Sequence, residues 1–204
     1  MIRIITLQLI FAFLAFHAEA QSIQLALGAG YSPILSPSQY DYSAPLNVAV
    51  RYVTKDARLT FATSATYQKL SGHRFSPLDV LPATEIRTDT KVWTGSLGLK
   101  WSILQPSYGP HLALDLLFSS IGSTQSSSGT LWFVPPGLPR HHVQTGMSLA
   151  TGFTFPCLLG TTLDLDARYA AHGIFGGSVG YESINAIQFL ASLGIPIWSQ
   201  HSPQ

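Results

Sequence analysis

The chain has few charged residues and almost no cysteine. Only 10% of its 204 residues are charged, whereas soluble domains carry roughly 25%. A soluble secreted domain would need more charge to keep its outer surface hydrated. The single cysteine, Cys157, excludes an intrachain disulfide and lies too far from the N-terminus to be the acylated first residue of a lipoprotein. The net charge of +1 gives no reason to expect nucleic acid as a partner.

Long apolar runs are missing after the first twenty residues. No later run reaches the roughly 20 residues that a membrane-spanning helix needs. Residues 1–20 combine a positive Arg3, an apolar core from Ile4 to Phe16 and small residues around Ala20, which is typical of a signal peptide. An uncleaved membrane anchor is the alternative, but the apolar core is short for one. We therefore expect cleavage near Ala20 and a single domain over residues 21–204.

Eight segments of this domain alternate apolar with small or polar residues, which is the periodicity of β-strands. Each segment ends on an aromatic residue: Tyr31, Tyr52, Tyr67, Trp101, Phe118, Phe155, Tyr169 and Trp198. Aromatic rings settle where hydrocarbon meets lipid headgroups. A soluble β-sandwich or lipocalin-like barrel would also alternate, but the non-apolar face here is mostly Gly, Ala, Ser and Thr, which suits a crowded barrel interior. The sequence predicts an all-β fold, an eight-stranded antiparallel up-and-down transmembrane β-barrel.

The connections between the segments alternate in length. Residues 55–57, 105–110 and 156–160 form short connections, whereas residues 32–45, 70–91, 122–142 and 170–186 form long ones. Outer-membrane barrels have short periplasmic turns and long external loops. This parity predicts a periplasmic N-terminus, with an outer aromatic rim of Tyr31, Tyr67, Phe118 and Tyr169 and an inner rim of Tyr52, Trp101, Phe155 and Trp198.

These patterns resemble the small eight-stranded outer-membrane barrels of Gram-negative bacteria, and more narrowly the outer-membrane β-barrel domain family common in Bacteroidetes. The closing segment from Ile187 to Trp198 resembles the C-terminal assembly signal of that family. It departs in two respects, because Trp198 is one step out of phase with Ile195 and because six residues follow it. A bulge at Pro196 would reconcile the phase. The resemblance implies an outer-membrane location, with outer-membrane lipid and lipopolysaccharide around the barrel.

Six charged residues fall on the inward-facing phase of the predicted strands: Arg51, Lys100, Asp115, Asp164, Asp166 and Arg168. Three cations and three anions predict an interior ion network that fills the lumen of an eight-stranded barrel and leaves no continuous water channel. A path for protons or ions is the functional alternative. Glycines on the strand interiors, namely Gly28, Gly30, Gly146 and Gly152, are predicted to make room for a bulky neighbour across the lumen.

Residues able to carry chemistry are scattered. His141 and His142 are adjacent, so in a strand they point to opposite faces, and no ligand spacing surrounds them; we expect no metal and no cofactor. His172 and Glu182 share the last loop with Ser178 and Ser183, as a charge relay in a lipid-modifying barrel enzyme would require, but no spacing matches such an enzyme. His111 and His172 are predicted near opposite rims. We expect no catalytic residues.

The long loops offer the strongest functional lead. The segment containing Leu131, Trp132, Phe133, Val134 and Leu138 is more apolar than a loop exposed only to water, as are residues 75–82. Exposed apolar patches usually signal an interaction. The sequence therefore predicts a structural or interaction role through external loops, with no wide pore. Transport or binding of a small hydrophobic molecule at a loop-lined mouth is the alternative, and packing of the loops on one another is the simplest explanation.

Overall fold

The computed structural model describes residues 20–36, 42–54, 58–76, 84–104, 108–128, 140–175 and 184–199. The strands are β1 (Ala20–Ser36), β2 (Tyr42–Ser43), β3 (Leu46–Thr54), β4 (Leu59–Ser76), β5 (Thr84–Ser102), β6 (Gly109–Ser128), β7 (Arg140–Pro156), β8 (Thr162–His172) and β9 (Asn185–Ser199). One turn of 3-10 helix, Leu158–Gly160, joins β7 to β8. Among these residues, no helical segment is long and apolar enough to span a bilayer. Residues 1–19 lie outside the described part, so the signal peptide stays a prediction.

The eight long strands form a closed barrel. Each pairs with the next in antiparallel orientation, and β1 closes the sheet against β9. The short β2 pairs with the far part of β1, where Ser32 lies opposite Ser43. The prediction of an all-β, eight-stranded antiparallel barrel is therefore confirmed.

Side chains alternate between the lumen and the outer surface along each strand, because successive residues of a strand point to opposite faces. On β6, Leu114 and Leu116 are 47% and 46% exposed, whereas Asp115 and Leu117 between and after them are 5% and 3% exposed. Most of the predicted aromatic ends are exposed in the same way. Tyr52 is an exception at 7% exposed. The outer surface is therefore an apolar belt of the kind that a lipid-facing barrel needs.

The long connections predicted at residues 70–91 and 122–142 are wrong in part. β4 continues to Ser76 and β5 begins at Thr84, while β6 continues to Ser128 and β7 begins at Arg140. The described outward positions of the β4–β5 extension are polar, as at Ser71 and Lys91, so the apolar alternation stops although the backbone ladder does not. Residues 32–45 and 170–186 are shortened similarly, since β1 reaches Ser36 and β8 reaches His172.

The closing strand contains the predicted bulge. Ile23 of β1 pairs with Trp198, but the next residue, Gln24, pairs with Pro196, so Ile197 is an extra residue in β9. The bulge beside Pro196 is therefore confirmed, and it returns Trp198 to the outward phase of Ile195.

Candidate functional site

The lumen near the short-turn end contains two cations that share one carboxylate, a group that we call the Asp164 cluster. Asp164 on β8 is completely buried. Its Oδ1 accepts a hydrogen bond of 2.9 Å from Lys100 Nζ, and its Oδ2 contacts the guanidinium of Arg51. The cations have further partners, because Lys100 Nζ donates to Thr154 Oγ1 at 2.8 Å and Arg51 Nη2 donates to Ser192 Oγ at 2.9 Å. Strands β3, β5, β7, β8 and β9 are thereby linked across the lumen.

A second group, the central cluster, lies beside the first. His111 Nε2 is 2.6 Å from Asp166 Oδ1. Arg168 Nη2 is 3.4 Å from Asp115 Oδ2, and this oxygen also accepts a hydrogen bond of 2.6 Å from Ser148 Oγ. The structure thus places all six predicted inward charges in the lumen, each near a group of opposite charge or a histidine.

His111 was not identified from the sequence as part of this network. It is 1% exposed and lies on the same face of β6 as Asp115. The signal was available, because His111 and Asp115 are four residues apart and so share one face of a strand. What the sequence did not contain was the position of Asp166, which faces His111 from another strand.

Two glycines make room for these charged side chains. A Cβ on Gly152 would lie 2.8 Å from His111 Nε2 and would also meet the Asp166 carboxylate, and a Cβ on Gly98 would lie 2.9 Å from Asp115 Cγ. The bulky neighbour of Gly152 was predicted across the lumen, which is wrong. His111 and Asp166 are instead the residues paired directly with Gly152 on the adjacent strands.

A layer of uncharged polar side chains lies further towards the long-loop end. Ser119 Oγ is 2.7 Å from His172 Nδ1 and 2.9 Å from Thr94 Oγ1, and Gln68 Nε2 donates to Ser43 Oγ at 2.5 Å. His172 is 4% exposed. The cavity beside it has about 10 Å³, which is no larger than one water needs. The suggested partners of His172 in a relay, Glu182, Ser178 and Ser183, lie outside the described residues.

The long-loop end of the lumen is closed by apolar side chains, which we call the apolar cap. Leu70, Val92, Ile121 and Ile184 are each at most 6% exposed, and Ile34 packs against them. This cap was not predicted from the sequence, because Leu70 lies in a predicted loop and the strand alternation predicts apolar residues on the outward face. The inward phase of Val92 and Ile121 is a signal that could have identified them.

Small voids remain between these layers. Cavities of about 50 Å³, 20 Å³ and 10 Å³ lie along the lumen. The largest is lined by charged residues of both clusters, among them Arg51, Lys100 and Asp115. Each void has room for isolated waters, since one water needs roughly 10–15 Å³ of such space. Arg51 and Lys100 line both the 50 Å³ and the 20 Å³ cavity, and Ser96 and Arg168 line both the 50 Å³ and the 10 Å³ cavity.

Two further predictions from the sequence concern the apolar loop and metal binding. The apolar loop residues Leu131, Trp132, Phe133, Val134 and Leu138 lie outside the described residues. Within the described ranges, no group of three or more His, Cys, Asp or Glu side chains is arranged to hold a metal ion.

Comparison with known proteins identifies the fold. Neither the protein-family models nor the curated protein sequences give a match. Among solved structures, Neisserial surface protein A is similar to this chain, with a TM-score of 0.55 and 12% sequence identity. The match covers 85% of this chain and 96% of the Neisserial chain. Ail, the attachment invasion locus protein of Yersinia pestis, is similar with a TM-score of 0.50 at 14% identity, covering 86% of this chain and 97% of its own. The chain has the fold of the small eight-stranded outer-membrane β-barrels, and the narrower resemblance to a Bacteroidetes family has no support.

Proposed function

We propose that this chain is an integral outer-membrane barrel with a closed lumen, which anchors external hairpins in a structural or interaction role. The apolar outer belt and the fold support the membrane location, since lipid-facing barrel strands need an apolar band flanked by aromatic residues. The predicted signal peptide, cleaved near Ala20, provides the export route. We infer no enzymatic role.

The filled lumen is the observation that carries this proposal. Across the described strands, the Asp164 cluster, the central cluster, the polar layer and the apolar cap follow one another between the two ends. An eight-stranded barrel is just wide enough for side chains to fill its interior. A conducting pore would require these layers to rearrange.

The strand extensions support the interaction role. β4 runs nine residues past Tyr67, and β5 begins nine residues before Trp93. At about 3.3 Å per residue, this hairpin reaches about 30 Å beyond the aromatic pair along the strand direction. Such a hairpin presents backbone and side chains outside the bilayer, where lipopolysaccharide or a partner protein is available. The apolar residues 131–138 lie outside the described residues and remain a predicted part of that surface.

A second candidate is the binding or transport of a small hydrophobic molecule at the external mouth. The apolar cap favours it, because Leu70, Val92 and Ile121 offer an apolar floor beneath the predicted apolar loop. A lipid-modifying enzyme is the third, and it predicts altered lipid A in cells that overproduce the protein.

Purified protein in planar lipid bilayers distinguishes the first two candidates. A closed anchor gives no resolved conductance steps and no uptake of a hydrophobic probe into liposomes. Resolved steps in the wild-type protein would contradict the proposal, and so would probe uptake that is lost on deletion of residues 131–139. Recovery of the protein in the detergent-extracted outer membrane, with heat-modifiable migration on a gel, tests the location.

A further inference from the structure

We propose that Lys69 and Lys91 form a binding site for the phosphate group of an outer-leaflet lipid headgroup. This inference rests on the outer-membrane location proposed above. It begins from an unfavourable arrangement, since Lys69 of β4 and Lys91 of β5 are directly paired across the two strands. Like charges in this position destabilise a sheet, and a bound anion would reverse that effect.

Both lysines face the outer surface of the barrel. Each is exposed, while the residues on either side of it along the strand are buried: Gln68, Leu70, Thr90 and Val92. Directly opposite residues of an antiparallel pair have Cβ atoms about 4.5–5.5 Å apart. Two lysine side chains from such positions reach one phosphate group together.

The depth of the pair matches the headgroup level. Two residues closer to the barrel centre on the same face, Tyr67 pairs with Trp93, and their ring centroids are 4.6 Å apart. This aromatic pair marks the boundary between hydrocarbon and headgroups. Lys69 lies two residues further out, or about 6–7 Å along the strand, so its ammonium group reaches the phosphates.

The surroundings leave the positive charge available. Within the described residues, the structure records no ion pair for either lysine. The flanking positions on β6, Ser120 and Gly122, are uncharged. On the same face of β5, Asp89 lies two residues further out than Lys91 and accepts a hydrogen bond of 3.0 Å from Ser71. A phosphate monoester between the two ammonium groups is therefore the complementary ligand.

The test measures lipid retained by the purified full-length protein in detergent, using native mass spectrometry with bisphosphorylated lipid A as the probe. The double variant Lys69→Gln/Lys91→Gln is expected to bind about 30-fold more weakly, and each single variant about fivefold, at about 1 kcal/mol per cation. The charge-conserving Lys69→Arg/Lys91→Arg should bind like the wild type. The matched control Arg58→Gln removes an exposed cation from the short-turn end and, unlike either single lysine variant, should change binding by less than about twofold.

Three results would overturn the inference. They are unchanged binding by the double glutamine variant, equal binding of dephosphorylated lipid A, and equally tight binding of inorganic phosphate, which would make the ligand a free anion. Heat-modifiable migration checks that each variant is folded. Conductance by the wild-type protein would refute the closed anchor without altering this binding difference, so the two failures are distinguishable.

Discussion

At the scale of single residues, the interior charges balance as a set. Arg51, Lys100 and Arg168 contribute three positive charges, and Asp115, Asp164 and Asp166 contribute three negative ones. The balance is uneven locally, because Asp164 contacts two cations whereas Asp166 contacts only a histidine among the groups described. Replacing one partner of a buried ion pair leaves an uncompensated charge, which costs more than the pair contributes. The two aspartates should therefore differ in importance.

We predict that Asp164→Asn lowers the free energy of unfolding by about 3–5 kcal/mol, because it leaves two buried cations without a carboxylate. Asp166→Asn should cost less, because Asp166 contacts no lysine or arginine among the groups described. Urea unfolding in lipid vesicles, followed by tryptophan fluorescence, measures both. Equal losses of unfolding free energy for the two variants would contradict the greater importance of Asp164.

Gly152 gives a second prediction at this scale. In Gly152→Ala, the new methyl group would press on His111 and Asp166, and overpacking of this kind costs about 1–3 kcal/mol. Gly95 is the matched control, because a Cβ there would meet nothing closer than the Phe118 carbonyl oxygen at 3.9 Å. Gly95→Ala should be neutral or stabilising by up to about 1 kcal/mol, since alanine loses less entropy in a strand. The same unfolding measurement compares the two, and similar values would contradict the packing argument.

At the scale of elements, the sequence was sufficient to predict the strands within the apolar belt and insufficient to predict their extensions beyond it. A lipid-facing strand needs apolar residues on its outward face. The alternation of β6 around Leu114 and Asp115 therefore predicts a strand with Leu114 facing outward and Asp115 facing inward. Further from the barrel centre than Trp93, the pattern of polar and apolar residues reverses. The polar Lys91 faces outward, and the apolar Val92 faces inward and closes the lumen. The strands continue there through backbone pairing, which leaves no pattern of apolar residues in the sequence.

The contacts among the interior charges could not be predicted from the sequence, for a related reason. The inward phase of Arg51 and Asp164 was evident from the strand alternation alone. Their contact is between strands far apart in sequence, and it depends on the tilt and stagger with which the barrel closes. Those quantities are properties of the whole sheet, and no local segment specifies them.

The bulge in β9 gives a prediction at this scale. Deletion of Ile197 removes the extra residue and lets Ile195, Pro196 and Trp198 alternate without interruption, so the barrel should still form with a change of no more than about 1 kcal/mol. Deletion of Leu193 should prevent folding, because a one-residue slip in the strand interior moves side chains to the wrong face. Heat-modifiable migration distinguishes the two variants. Failure of the Ile197 deletion to fold would show that the bulge itself is required.

At the scale of the whole molecule, β1 pairs with β9 and closes the sheet, and the two ends of the barrel carry different elements. The short-turn end carries Cys157 in an exposed turn after β7. The long-loop end carries the strand extensions and the exposed Ile174, which follows β8. Small outer-membrane barrels place their short turns in the periplasm. The same sheet in the opposite orientation would present Cys157 to the outside, so the single cysteine is a natural reporter of orientation.

We predict that Cys157 does not react in intact cells with a maleimide carried on a polymer too large to cross the outer membrane. It should react fully once that membrane is permeabilised, because the thiol is exposed on the periplasmic side. The variant Ile174→Cys in a Cys157→Ser background should behave oppositely and react in intact cells. Mobility shifts on a denaturing gel report both reactions. Labelling of Cys157 in intact cells, with protection of the cysteine at position 174, would reverse the orientation and would place the strand extensions and the Lys69 and Lys91 pair on the periplasmic side.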